Sequence, residues 1–348
     1  MNSDITPQKI ALFGQTLPQL KKIVVGLGLP QYIATQIADW LYKKSISDID
    51  QMSNLSKEVR AKLKNDFVFG KVDYINTQAS VDGTKKYLFP TQKGYYIETA
   101  MIPDDERHTV CVSTQMGCKM NCLFCATGKQ GWQGNLSSGE ILNQFKHIPE
   151  FDKMTNIVYM GMGEPLDNID AVLDSIEILT SDYGFAWSPK RITISTVGVI
   201  PAMKRFLNES QAHLAVSLHS PFDEERKNIM PVQNAYPLSD VLALLKTYDF
   251  TKQRRVSFEY IVFHGLNDTM KHADELSRIL NGIKCRVNLI RFHSIPDVEL
   301  KTTNEEQLLA FQTRLKQKGI FTTIRASRGQ DIDAACGLLS TKALLSKT

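Results

Sequence analysis

Seven short segments rich in β-branched and aromatic residues recur along the second two-thirds of the chain, and most are separated by stretches of helical periodicity. The strand candidates are TVCVSTQ, NIVYMGM, RITIST, HLAVSLH, VSFEYIVF, RVNLIRF and FTTIRAS. Between most of them lie segments such as SGEILNQFKHI, IDAVLDSIEILTS, LSDVLALLKTY and MKHADELSRILNG, whose apolar residues recur every three or four positions. A strand that gives way to a helix before the next strand crosses over to pair in parallel, and the helices then cover the sheet. Six or so such units predict an α/β fold: an open or partial (β/α)6 barrel, smaller than the eightfold form. In that architecture reactive groups come from the C-terminal ends of strands and from the loops after them.

Two further regions precede the barrel. Residues 1–72 read as a small helical N-terminal domain, with LPQYIATQIADWLYKK and SNLSKEVRAKLKNDF as its clearest helices. Residues 1–75 hold ten Lys or Arg against seven Asp or Glu. A solvated helical face accounts for any single lysine, but a module of this kind beside a catalytic domain is suited to holding a polyanion. Residues 73–104 read as a short β extension: VDYINTQASV, KKYLFPT and GYYIETAMI, with Asp82-Gly83 as a hairpin turn. The barrel then spans 105–340, and 341–348 is a frayed tail.

The formal charge of +4 permits a nucleic-acid partner without indicating one. MNSDITPQKIALFGQ lacks the pattern of a secretory signal, and no run approaches the roughly 20 apolar residues that span a bilayer. A cytoplasmic protein with no membrane partner is therefore expected. Cytoplasmic thiols stay reduced, so the six cysteines are ligands, catalysts or core residues.

Three of them crowd into Cys118-Lys-Met-Asn-Cys122-Leu-Phe-Cys125, the loop after the first barrel strand. Soft thiolates at spacings of four and three wrap one face of a compact metal cluster. Three ligands leave one iron open to a small-molecule chelator. The alternatives are zinc completed by a distant residue, or three unligated thiols. Structural zinc sites usually add a second C-x-x-C pair, and the sequence has none.

This loop resembles that of the radical S-adenosylmethionine (SAM) superfamily. The resemblance implies one [4Fe–4S] cluster per chain on Cys118, Cys122 and Cys125, with SAM chelating the open iron. Reduction then cleaves SAM to methionine and a 5′-deoxyadenosyl radical. Gly161-Met-Gly163-Glu164-Pro165, after the second strand, is similar to the superfamily's SAM motif. Its glycines let backbone approach a ligand, and its carboxylate can accept from an ammonium.

Further stretches narrow the likeness. Cys111 stands seven residues before the cluster loop, and Gly329-Gln-Asp-Ile-Asp-Ala-Ala-Cys336-Gly337 lies near the end. With ISTVG around Ser195 and the Ser217-Leu218-His219 run, they resemble the RlmN family of dual-specificity RNA methyltransferases, over about Glu98 to Leu338. That resemblance implies methylation at C2 of adenosine in the peptidyl-transferase centre of 23S rRNA, and of the adenosine beside the anticodon of certain tRNAs. It implies that Cys336 carries the methyl group and that Glu98 accepts a proton from the ring carbon. Cys111 then releases the product through a transient disulfide. Gly163, Glu164, Pro165, Ser195, Ser217, Leu218 and His219 match SAM-binding positions, and two SAM molecules are consumed per methylation. His293 stands where the family commonly has asparagine. A histidine can still donate or accept a hydrogen bond. The implied partners are the two RNAs and an electron-donating reductase system, with the enzyme monomeric.

Chemistry explains the need for a radical: adenine C2 is electron-poor and has no lone pair with which to attack SAM. Rival readings remain. The related Cfr enzymes methylate C8 of the same rRNA adenosine and share both cysteines. A peptide-modifying radical SAM enzyme explains the cluster but leaves Cys111 and Cys336 idle, and a zinc-binding RNA module requires no catalysis. Without the resemblance, Cys336 among small residues reads as packing, Cys111 as core and Glu98 as a solvated carboxylate. Cys285, in a strand, reads as core.

Overall fold

A computed structural model describes residues 9–250 and 255–341. The chain opens on β1 (Ile10–Ala11), followed by α1 (Leu17–Gly26), α2 (Tyr32–Lys43) and α3 (Lys57–Asp66). β2 (Phe67–Val68) then returns to pair in parallel with β1. Thr16 starts α1 with a reciprocal capping box to Gln19, which satisfies two otherwise orphan donors. The buried faces of these helices join the barrel core: Tyr42 packs 5.7 Å from Phe13 and 5.8 Å from Phe185 between ring centroids. Backbone meets backbone where Gly14, at φ +96°, crosses Gly139 at the start of a barrel helix. A Cβ on Gly14 would lie 2.2 Å from the Gly139 nitrogen, so only glycine fits.

Next come the antiparallel strands β3 (Asn76–Ala79), β4 (Lys85–Pro90) and β5 (Tyr96–Asp104), with the Asp82-Gly83 turn where the sequence placed it. β5 turns back into β6 (Arg107–Cys111), the first barrel strand. After β6 the chain forms the small hairpin β7 (Gln115–Gly117) and β8 (Trp132–Asn135), which brackets α4 (Ala126–Gln130).

The remaining strands alternate with helices. α5 (Ser138–Lys146) leads to β9 (Asn156–Tyr159), α6 (Ile169–Thr180) to β10 (Ile192–Thr196), and α7 (Ile200–Glu209) to β11 (His213–Ser217). α8 (Asp223–Ile229) and α9 (Leu238–Leu245) precede β12 (Val256–Val262), α10 (Met270–Ile279) precedes β13 (Cys285–Arg291), and α11 (Glu305–Gln317) precedes β14 (Phe321–Ile324).

One ten-stranded sheet runs β14-β13-β12-β11-β10-β9-β6-β5-β4-β3. Its seven strands β6 and β9 through β14 are parallel and are the seven strand candidates of the sequence. The order does not close, so the barrel is partial, and the β extension continues one edge of the same sheet. β12 is buried along its whole length, as a strand covered on both sides must be. Cys285 packs against this core. Among the described residues no helix is long and apolar enough to cross a membrane.

Candidate active site

Parallel strands that start at one level end at one level, and their register brings Cys111, Ser195 and Ser217 to the same end of the sheet. A cavity of about 370 Å³ opens there. Cys118, Cys122, Cys125, Cys111 and Cys336 all line it, together with Gly163, Glu164, Pro165, Ser195, Ser217, His219 and His293. Of the predicted site residues, only Glu98 and Leu218 lie behind its wall.

The three-cysteine loop is held by backbone. Leu123 N–H donates to the Ile229 carbonyl at 2.9 Å, Cys118 N–H to Gly131 at 3.1 Å, and Ala126 N–H to Gly337 at 2.8 Å. Gly117 has φ +75°, and a Cβ there would lie 1.6 Å from the Gly131 oxygen. The thiols sense one another: burial and the neighbouring cysteines push Cys122 well up, and Cys118 rises to about 12, chiefly through burial. A cationic metal centre removes that penalty by stabilising all three thiolates. The donor set, three soft thiols spread around one cavity wall, suits a polynuclear iron–sulfur cluster better than zinc.

Glu164 is buried, yet both carboxylate oxygens are engaged: Leu166 N–H donates to Oε1 at 3.1 Å and Val197 N–H to Oε2 at 3.0 Å. Burial nevertheless raises its pKa to about 7. Its own N–H donates to Gln115 Oε1 at 2.9 Å. Gly163, at φ +96°, runs against the same Gln115, with 2.5 Å from an added Cβ to the Gln115 Cβ. The glycine–glutamate turn is therefore held by the Gln115 side chain on one side and by the Leu166 and Val197 amides on the other.

His219 adopts φ +56°, and its Nδ1 accepts from Ile261 N–H at 3.0 Å. The ring packs edge-on to Phe124 at 4.7 Å, and burial lowers its pKa to about 3. It is a neutral imidazole with the proton on Nε2. His293 places Nε2 3.0 Å from Ser327 Oγ on the cavity wall.

Cys336 is exposed, whereas Cys111 is buried against Ala100, Val158 and Ala334, two residues from Cys336. Burial and the adjacent Cys336 push the Cys111 thiol up to about 12, with Arg325 opposing. The segment carrying Cys336 is pinned by the β3–β4 turn. Ser80 Oγ donates to Asp331 at 2.6 Å, Val81 N–H to the same carboxylate at 3.2 Å, and Gly329 N–H to Asp82 at 2.9 Å. The β extension thus holds the C-terminal cysteine over the barrel. Glu98, fully buried on β5, lies beneath this segment and accepts from Ser340 N–H at 2.8 Å.

Sequence reasoning missed two residues. Arg226 is completely buried and donates to the carbonyls of Val197 (2.9 Å), Ser217 (3.1 Å) and Leu218 (3.1 Å), tying together the ends of β10 and β11. Its setting, DEERKN, reads as a solvated helix. Arg325 reaches Glu259 at 3.3 Å and lies within electrostatic reach of both Cys111 and Cys336. An arginine after a barrel strand carries no signal of its own.

A parallel partial barrel with a three-thiol loop and a Gly-Glu turn at its strand ends defines a radical SAM enzyme. The radical SAM superfamily model matches residues 112–276, and the ribosomal RNA large subunit methyltransferase N-terminal domain model matches residues 10–68. The crystal structure of a radical SAM methyltransferase from Sphaerobacter thermophilus superposes with a TM-score of 0.89 at 38% identity, covering 96% of this chain and all of that one. A probable dual-specificity RNA methyltransferase RlmN of Parabacteroides distasonis is 56% identical over 96% of this chain and 97% of its own length. The dual-specificity RNA methyltransferase RlmN of Syntrophus aciditrophicus is 41% identical over 97% and 99%. The chain belongs to the RlmN family of radical SAM methyltransferases.

Proposed function

We propose that this enzyme methylates C2 of an adenosine in the peptidyl-transferase centre of 23S rRNA and of the adenosine beside the anticodon of certain tRNAs. The relatives' name, dual-specificity RNA methyltransferase, supports RNA as substrate. The observation that carries the mechanism is that Cys111 and Cys336 border the cavity that the cysteine loop and Glu164 also line.

Cys118, Cys122 and Cys125 would hold one [4Fe–4S] cluster per chain, which would supply the electron for reductive cleavage of SAM. Glu164 and Gly163 form the wall against which SAM's amino group and backbone contacts are made, with Pro165, Ser195, Ser217, Leu218, His219 and His293 completing the site. Cys336, the exposed thiol, takes a methyl group from a first SAM by displacement, losing its proton. The 5′-deoxyadenosyl group of a second SAM would take one hydrogen atom from that S-methyl group and leave as 5′-deoxyadenosine; the S-methyl carbon would bond to the adenine ring carbon, and the electron spent on SAM would be given back as the ring proton departs. Glu98 takes the proton from the ring carbon. Cys111, having given up its proton, then attacks the Cys336 sulfur, so the S–CH₂ bond breaks as the S–S bond forms, and the released carbon takes up a proton to leave as the methyl group of the base. An external reductase system restores both thiols. The enzyme works as a cytoplasmic monomer, its N-terminal module helping to hold RNA.

Intact mass and peptide mapping of Cys111→Ala protein, purified with nuclease-treated RNA, test this reading. A nucleotide adduct on Cys336 is expected. An unmodified Cys336 in cluster-loaded protein overturns the methyl-carrier role. Chromatographic retention of the product nucleoside separates C2 from C8 methylation.

A further inference from the structure

The lumen of a (β/α) barrel is normally filled by layers of branched apolar side chains. Here the layer nearest the N-terminal ends of the strands is polar. Arg107, Asn156, Thr193, His213, Ser257 and Arg286 line a second cavity of about 400 Å³ at the mouth opposite the cysteine loop. Lys190 and Arg255 stand at its rim.

Cations dominate this mouth. Among the described residues no carboxylate lies within ion-pairing distance of Arg107, Lys190, Arg255 or Arg286. Glu259 is the only carboxylate in the lining, and Arg325 already neutralises it at 3.3 Å, with Asn288 Nδ2 donating to it at 2.7 Å. Four cations around one concavity, of which Arg286 stacks 5.2 Å from the Phe321 ring, focus a positive field that concentrates anions there. The mouth shares a wall with the catalytic cavity: Arg107, Val158, Met160, Glu259 and Arg325 line both.

We propose that this N-terminal mouth seats phosphodiester groups of the RNA strand that flanks the target adenosine, while the base reaches the catalytic cavity on the other side of the shared wall. The inference rests on the reading of RNA as substrate and adds where the strand is held. Phosphates position a strand without reading its sequence, which fits an enzyme that accepts two RNAs.

The test is equilibrium binding of a tRNA anticodon stem-loop and an rRNA hairpin to the cluster-loaded enzyme and its Lys190→Gln/Arg286→Gln variant, across a salt series. About a tenfold loss of affinity is expected, with a salt slope shallower by roughly 0.7 for each single-stranded phosphate contact removed. S-methylation of Cys336, which needs no RNA, persists. The single Lys190→Gln change, at an exposed side chain, gives a smaller loss in the same direction and decides the matter if the double variant misfolds. Unchanged affinity and slope overturn the proposal while leaving RNA methylation intact. Inorganic phosphate that shields Arg286 from an arginine reagent, where RNA does not, makes this a free-anion site and also overturns it. Failure of the wild-type enzyme to bind either RNA defeats the functional reading itself.

Discussion

Lys86 and Glu98 form an ion pair sealed inside the sheet, Nζ to Oε1 at 3.1 Å with side chains 2% and 0% exposed. Ser340 N–H donates to the other oxygen, Oε2, at 2.8 Å. Burial raises the Glu98 pKa against the opposing pull of Lys86 and Ser340 N–H. A carboxylate with a raised pKa holds a proton more readily than an ordinary one. Lys86→Met leaves this charge unpaired and is expected to cost about 3–5 kcal/mol of stability in chemical denaturation. Glu98→Gln keeps the shape. It should retain S-methylation of Cys336 but accumulate the protein–RNA adduct, read by intact mass; unimpaired turnover would remove Glu98 from the mechanism.

The cysteine loop is anchored by backbone hydrogen bonds that do not involve sulfur. Replacing Cys118, Cys122 and Cys125 together with alanine should therefore abolish iron binding and the brown colour of anaerobically purified protein. Far-UV circular dichroism should be unchanged. Zinc with no iron in wild-type protein reconstituted with both metals would contradict the cluster assignment.

Gly163→Ala forces φ +96° on a residue with a Cβ and drives that atom to 2.5 Å from Gln115. The left-handed backbone alone costs about 1–2 kcal/mol. Shifting the turn moves Glu164 off the Val197 and Leu166 amides. SAM affinity, measured by equilibrium dialysis on cluster-loaded protein, should fall at least tenfold; unaltered affinity would show that the turn does not shape the SAM site.

His147 sits between the N-terminal module and the barrel, its ring 5.7 Å from Phe13, with Nε2 buried and unpartnered. Burial, with Lys71 adding to it, lowers its pKa from 6.5 to about 4. The folded chain thus binds this proton more weakly than the unfolded chain. Its contribution to stability is complete above about pH 6.5 and is lost as pH falls through about 4. Melting temperatures measured between pH 7.5 and 4 should drop less steeply for His147→Gln than for wild type. Parallel curves would show that the interface does not feel this titration.

The sequence by itself determined the strand–helix alternation, the parallel sheet and the three-thiol loop, because each rests on local periodicity or on spacing within a few residues. Asp82-Gly83 marked its turn for the same reason: glycine alone tolerates φ +84° freely. Tertiary structure decided what no local pattern encodes. Arg226 lies in the charged run DEERKN, yet the chain crossing returns it under the ends of β10 and β11, where three carbonyls accept from it. Glu98 looked solvated until β4 and the C-terminal segment closed over it. Cys111 and Cys336, 225 residues apart, share one cavity only because the sheet brings β6 beside β9 while Ser80 and Asp82 clamp the final loop. Such convergences arise from long-range register and loop closure, whose free energy depends on the whole packed core rather than on any segment of the sequence.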